Sequence, residues 1–231
     1  MLDVLANNQW KQPIYFSGGA YADEEYIWLK DYLQLEGMTY KLVPIKTSNK
    51  GKSMFDMGRI DSDIMYANIK KWNWRNINDG KIYLDEQTKR NMIPMRRNLM
   101  RLAETFTKEQ NFEKAEEVLD LSQEKMPVKD FDYNQYVLGY PELYYAIDKK
   151  EKARKVAETL IGIFQEKLKW YITFNDSDLN LVIDDLNTSF YMYLNIIDQV
   201  QKFDDDEMYL KKIEYDFTET VKLFKHLIEE E

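Results

Sequence analysis

The chain has 231 residues, enough for one compact domain or two small ones, and its 44% hydrophobic and 32% charged content with only 8 Gly and 5 Pro describes a globular, helix-leaning protein rather than a disordered one. It contains no Cys, which excludes disulfides, thiolate metal sites and cysteine nucleophiles. The formal net charge of -9 is gathered at one end: residues 175–231 hold 15 acidic and 5 basic side chains, a net of -10, so neither nucleic acid nor an anionic membrane surface is expected as a partner.

The first ten residues lack a basic segment followed by an apolar one, so they do not read as a signal peptide, and no run of apolar residues is long enough to span a bilayer. Residues 1–22 read as an extended segment around Ile14, Tyr15 and Phe16, opened by Pro13 and closed by Ser17, Gly18 and Gly19. Asp23 then fits a helix N-cap, with Tyr26, Ile27, Leu29, Tyr32 and Leu33 behind it and Gly37 as the stop. Residues 38–45 are rich in β-formers and read as a second strand. Two short strands are marginal alone, so they must lean on helices. Residues 46–58 read as a polar, flexible loop. Residues 60–71 read as a helix capped by Asp61, with Ile64, Met65 and Ile69 on one face and Trp72, Asn73 and Trp74 closing it. Asn78, Asp79 and Gly80 mark a turn, and Tyr83, Leu84 and Asp85 lead into the helical region.

From Thr88 onward the apolar period is close to that of a helix. Met92, Met95, Leu99, Leu102, Ala103 and Phe106 form one stripe, and Ala115, Val118, Leu119 and Ser122 the facing one, with Pro127 as terminator. Residues 96–127 therefore read as a tetratricopeptide-type helical hairpin. Val137, Tyr140, Tyr144, Ala153, Val156, Ala157 and Leu160 repeat the pattern, and the interval from Phe106 to Ala115 equals that from Tyr144 to Ala153. This second copy is degenerate, with Pro141 where a small residue is usual. A third hairpin is expected from the stripes Leu179, Val182, Ile183, Leu186, Phe190, Tyr193, Leu194, Ile197, Val200 and Leu210, Ile213, Phe217, Val221, Phe224, Ile228, separated by Asp204, Asp205 and Asp206. The expected architecture is mainly α: an α/β segment over 1–87 with about two short strands, then a short right-handed TPR-like solenoid over 88–231 with hairpins near 91–126, 134–172 and 177–229.

Residues 8–16, Asn-Gln-Trp-Lys-Gln-Pro-Ile-Tyr-Phe, resemble the N-W-K-R-P-I-Y-F signature in the C-terminal part of the DUF2723 family, large bacterial membrane proteins related to protein O-mannosyltransferases. Residues 32–37, 40–45, 59–66 and 83–86 resemble further blocks of that family in the same order. The resemblance implies the soluble tail of a multi-spanning protein, on the periplasmic face of the inner membrane, with any lipid-linked sugar chemistry carried by the membrane half. It carries over no catalytic residue.

The candidate sites are few. Asp176, Asp178 and Asn180 have the spacing of the first calcium-loop ligands, but Leu181 and Asn187 stand where Gly and Glu belong, so a helix cap at Asp176 or Ser177 is the reading. His226 is the single histidine and fits a helix C-terminus beside Lys222 and Lys225. Asp184, Asp185 and Asp204 to Asp206 have the composition of acid–base carboxylates but read as solvated helix charges and caps. Gly18 and Gly19 lack the sequel of a phosphate loop. No cofactor or metal is expected. In peptide-binding repeats the inner face comes from the first helix of each hairpin, here Arg97, Met100, Glu104, Thr107 and Lys108, then Gln135, Leu138, Glu142, Tyr145 and Ala146. Of these, Arg97, Met100, Glu104, Lys108, Gln135 and Tyr145 form the candidate interaction surface. The two glutamates oppose Arg97 and Lys108, so an acidic peptide end is disfavoured there. The expected function is a noncatalytic scaffold or protein-interaction domain whose partner is a protein or the parent membrane domain. The alternative is a carbohydrate- or glycopeptide-binding module using Tyr and Trp surfaces, with a cluster at Tyr133, Tyr136, Tyr140, Tyr144 and Tyr145, since such rings offer flat apolar faces with a polar tip. A stand-alone hydrolase or transferase is the remaining reading, supported only by acidic residues.

Overall fold

A computed structural model describes residues 2–17, 28–50, 56–75, 77, 82–131 and 134–224. The expectations for residues 18–19, Asp23, 78–80, Tyr133, His226, Ile228 and the acidic end lie outside the described residues. The chain forms two compact units that divide after Met126, not at the junction of 87 and 88 suggested by the change in periodicity.

The first unit opens with helix α1 (Leu2–Asn8) and contains a four-stranded sheet of β1 (Tyr15–Ser17), β2 (Leu33–Leu35), β3 (Thr39–Leu42) and β4 (Arg59–Ile60), twice the expected number of strands. The spatial order is β1-β3-β2-β4; β3 runs antiparallel to β1 and β2, and β2 runs parallel to β4. The register sets Phe16, Tyr40, Leu35 and Ile60 in one cross-strand row and Tyr15, Lys41, Gln34 and Arg59 in the next, on opposite faces of the pleat. The second row is polar and bonded: Arg59 donates to Gln34 at 2.7 Å, Gln34 to Glu36 at 2.7 Å, and Tyr15 to Glu36 at 3.0 Å. The helix expected to run through Tyr32 and Leu33 is thus not formed there. A single 3-10 turn (Lys30–Tyr32) leads straight into β2, and Gly37, with φ +111°, turns the β2–β3 hairpin instead of ending a helix. Residues 46–50 are a loop, but a tied one: Asn49 is buried, donates to the Lys30 carbonyl at 2.7 Å and accepts from the Gly58 amide at 2.8 Å.

Helix α2 (Ser62–Ile69) begins two residues later than the periodicity suggested, because Arg59 and Ile60 belong to β4; Asp61 caps it by accepting from the Ile64 amide at 3.2 Å. Asp85 caps α3 (Glu86–Asn91) in the same way at 2.7 Å. The hairpin of α4 (Ile93–Lys108) and α5 (Phe112–Lys125) follows. Leu99, Leu102, Ala103, Phe106, Ala115, Val118, Leu119 and Ser122 are all buried, as the stripes required. The hairpin joins the first unit because polar side chains of α4 hold the sheet. Asn98 donates to the Gly37 carbonyl at 2.7 Å, and Arg101 to the Met57 carbonyl at 2.8 Å and the Asp56 carbonyl at 3.1 Å.

Among its described residues the second unit has helices and no strand: α6 (Gly139–Ala146), α7 (Lys150–Tyr171), α8 (Asp176–Leu181), α9 (Ile183–Phe203) and α10 (Glu207–Lys222). Asn175 caps α8, one residue before the expected Asp176, accepting from the Asp178 amide at 3.0 Å. Ala153 and Ala157 let α6 and α7 approach, and Tyr140, Tyr144, Phe164, Tyr171 and Tyr193 fill the core between the helices. Of the expected third-hairpin stripe, Ile183 and Leu194 face outward while Leu186, Tyr193, Ile197 and Val200 are buried. Tyr193 and Phe217 meet edge to face at 5.0 Å, which joins α9 to α10.

Candidate functional site

The interaction surface read from the repeat pattern is largely engaged within its own unit. Arg97 donates to Asp56 at 2.5 Å and 3.0 Å and to Glu104 at 2.9 Å. Met100 is 3% exposed. The face of α4 that a peptide would take in a free repeat holds the chain's own 56–58 segment instead, and only Lys108 of the four stands exposed. In the second unit Gln135 is exposed, whereas Tyr145 is buried and donates to Asp204 at 2.7 Å. Tyr140 and Tyr144 are buried as well, so these three tyrosines fill the repeat interior and offer no sugar-binding face.

Asp204 departs from the solvated reading of the aspartate run. Its side chain is fully buried and receives Arg154 in a two-pronged pairing, Nε at 2.7 Å and Nη2 at 2.6 Å, besides the Tyr145 hydroxyl. Asp206 accepts from the Met208 and Tyr209 amides at 3.0 Å and caps α10, while Asp205 pairs on the surface with Lys150 at 2.7 Å. The Arg154 hydrogen bonds, against the opposing effect of burial, hold the Asp204 carboxyl well below the ordinary carboxylate range. Burial and the bond to Asp204 push the Tyr145 phenol well up. Both groups are thereby fixed in their ground protonation states, the reverse of a poised acid–base pair. The cluster fastens α6, α7 and the α9–α10 turn together. Asp184 and Asp185 are exposed in the first turn of α9 and suit its dipole.

Two concave places among the described residues lie in the first unit. One is an apolar hollow of about 340 Å³ lined by Leu5, Trp10, Ile14, Leu29, Tyr32, Leu42 and Pro44, with Asn8 at its edge. Trp10 is 60% exposed and sits in a turn where Gln9 (φ 49°) and Trp10 (φ 59°) both adopt the left-handed conformation. Asn8 fastens this turn by donating to the Gln12 carbonyl at 2.8 Å and accepting from the Gln12 amide at 3.2 Å. Two consecutive left-handed non-glycine residues cost about 1–2 kcal/mol each, so the turn holds the indole at the rim at the expense of backbone strain. The other place is a corner between the end of α2 and α5, where Trp72 and Trp74 face a line of carboxylates.

Residues 1–64 match the family described as TMEM260-associated domain 2. Every residue lining the hollow at Trp10 lies within that matched stretch. No curated protein and no solved structure matches the chain.

The sequence pointed to neither concave place. Trp10 stood inside the motif that carried the family resemblance, yet a left-handed pair made of Gln and Trp leaves no trace in composition. Trp72 and Trp74 read only as a helix terminator, because their partners on α5 are more than forty positions away.

Proposed function

We propose that the chain is a noncatalytic protein-interaction module, the extramembrane part of a larger membrane glycosyltransferase-like protein, and that it engages its partner through the hollow at Trp10. The observation that carries this reading is the strained turn that holds a largely exposed indole beside an apolar hollow. Exposed apolar surface of this kind is where partner side chains are desolvated, and Trp is enriched among residues that dominate binding energy. Placement on the periplasmic side of a bacterial inner membrane follows from the DUF2723 resemblance and is part of the proposal. So is the partner, which is the parent membrane domain or a protein bound to it.

The test uses the full-length gene product in its native membrane, with a photo-crosslinking residue in place of Trp10. Irradiation is expected to join position 10 to a peptide of the membrane part or of a bound protein, and Tyr32→Ala is expected to weaken that adduct. Adducts to lipid alone, or none, would remove the proposal.

The second reading, recognition of a glycan, cannot use Tyr140, Tyr144 and Tyr145, which are buried. A different aromatic corner supports it instead.

A further inference from the structure

Trp72 and Trp74 follow the C-terminus of α2 in a stretch without regular structure, and both are half-buried. Their rings meet edge to face, 5.5 Å apart at 61°, and so form a corner. The indole of Trp72 is fixed from behind by the β2–β3 turn: a methyl group placed on Gly37 would lie 3.2 Å from its Cζ2 atom. Ile69, which is 1% exposed, forms the floor. The opposite wall is one stripe of α5, Glu117, Asp120, Leu121 and Glu124, spaced three and four residues apart and therefore on one side of the helix. The hollow measures about 320 Å³, at the small end of ligand sites, which run from roughly 300 to 1,000 Å³.

The chemistry of the lining is mixed. Tyr66 and Lys70 both donate to Glu117, and their hydrogen bonds keep its carboxyl below the ordinary value, so it stays an ionised acceptor. Glu124 pairs with Lys125 at 2.5 Å. A carboxylate has about four acceptor positions, so groups already bonded within the protein can still accept from a ligand. The corner thus offers apolar indole surface, several anionic acceptors and an ammonium donor. An organic cation would use the rings and carboxylates but would meet Lys70 as a like charge. A neutral ring with one C–H face and a rim of hydroxyls uses every part: the C–H face against indole, the hydroxyls donating to the carboxylates and one hydroxyl accepting from Lys70.

We propose that the corner of Trp72, Trp74, Asp120 and Glu124 is a binding site for a neutral pyranose. The site stands on its own geometry, apart from the hollow at Trp10, and survives if that interaction reading fails. Trp72 and Trp74 lie outside the family-matched residues 1–64, so the match assigns nothing to them.

The test follows the indole N–H resonances of the full 231-residue chain by NMR while methyl glycosides of glucose, galactose, mannose and N-acetylglucosamine are added in turn, with tetramethylammonium as the cation probe. At least one glycoside is expected to shift the Trp72 and Trp74 signals saturably. Trp74→Ala is expected to weaken that binding about tenfold or more, the scale of one lost aromatic contact. Asp120→Asn should weaken it less, and Trp10→Ala should leave it unchanged. Trp74 and Asp120 are chosen because Trp72 packs on Gly37 and its loss would disturb the fold. The proposal is overturned if no glycoside shifts these signals at tens of millimolar, if only tetramethylammonium does, or if Trp74→Ala binds as tightly as the parent.

Discussion

Asp204 shows how little of a residue's role is written next to it. It stands in a run of three aspartates, where solvation is the ordinary outcome, yet its carboxylate is fully buried and its partners are Tyr145 and Arg154, some fifty positions upstream. Removing one member of such a pair strands the other. Arg154 keeps about a third of its surface in water, which softens the loss, so Asp204→Ala is expected to destabilise the second unit by about 2–4 kcal/mol in urea melts. The pH dependence follows from the lowered carboxyl. A group whose folded value lies below its unfolded one, about 3.9 for Asp, adds stability above that value and loses it as the pH falls. The parent chain should therefore lose urea resistance between neutrality and about pH 3, and Asp204→Asn should lose measurably less over the same interval. Equal losses would mean that the buried pair contributes no ionisation-linked stability.

At the scale of elements, the two equivalent hairpin turns were the most legible feature. Phe106 and Tyr144 precede Ala115 and Ala153 by the same interval because both turns use one closure. Residue Gln110 (φ 59°) or Asp148 (φ 58°) takes the left-handed conformation, and the next amide bonds back to the aromatic residue's carbonyl, Asn111 to Phe106 and Lys149 to Tyr144, each at 2.9 Å. Glycine is the usual occupant of that position, and neither turn has it. Gln110→Gly and Asp148→Gly are therefore each expected to raise stability by about 0.5–1 kcal/mol, read as a higher urea midpoint with unchanged slope. The β2–β3 region was misread for a related reason. Leu29, Tyr32 and Leu33 fit a helical stripe, Leu33 and Leu35 fit a strand equally well, and a glycine with positive φ ends a helix as readily as it turns a hairpin. The pairing with β3 and β4 decided it, and such pairing has no local signature.

At the scale of the whole molecule, the boundary after Met126 divides charge as well as contacts. Residues 1–126 hold 19 acidic and 19 basic side chains, while residues 127–231 hold 22 and 13, a net of -9. The first unit keeps its hairpin because Asn98 and Arg101 bond to the sheet turn and the 56–58 segment, so it needs nothing beyond Met126 to satisfy those groups. The second unit closes its own core through α6, α7, α9 and α10 and fastens it at Asp204. Each half therefore carries the apolar core and polar ties that a domain requires. Expressed separately, 1–126 and 127–231 should each show one cooperative thermal transition by circular dichroism. They should then separate by salt. Self-repulsion among uncompensated carboxylates opposes compaction of 127–231, and screening at about 1 M ionic strength relieves it, so its midpoint should rise with sodium chloride. The neutral half should move far less. A fragment that melts without cooperativity would show that it does not fold alone, and equal salt responses in the two would show that the excess of carboxylates does not govern the stability of 127–231.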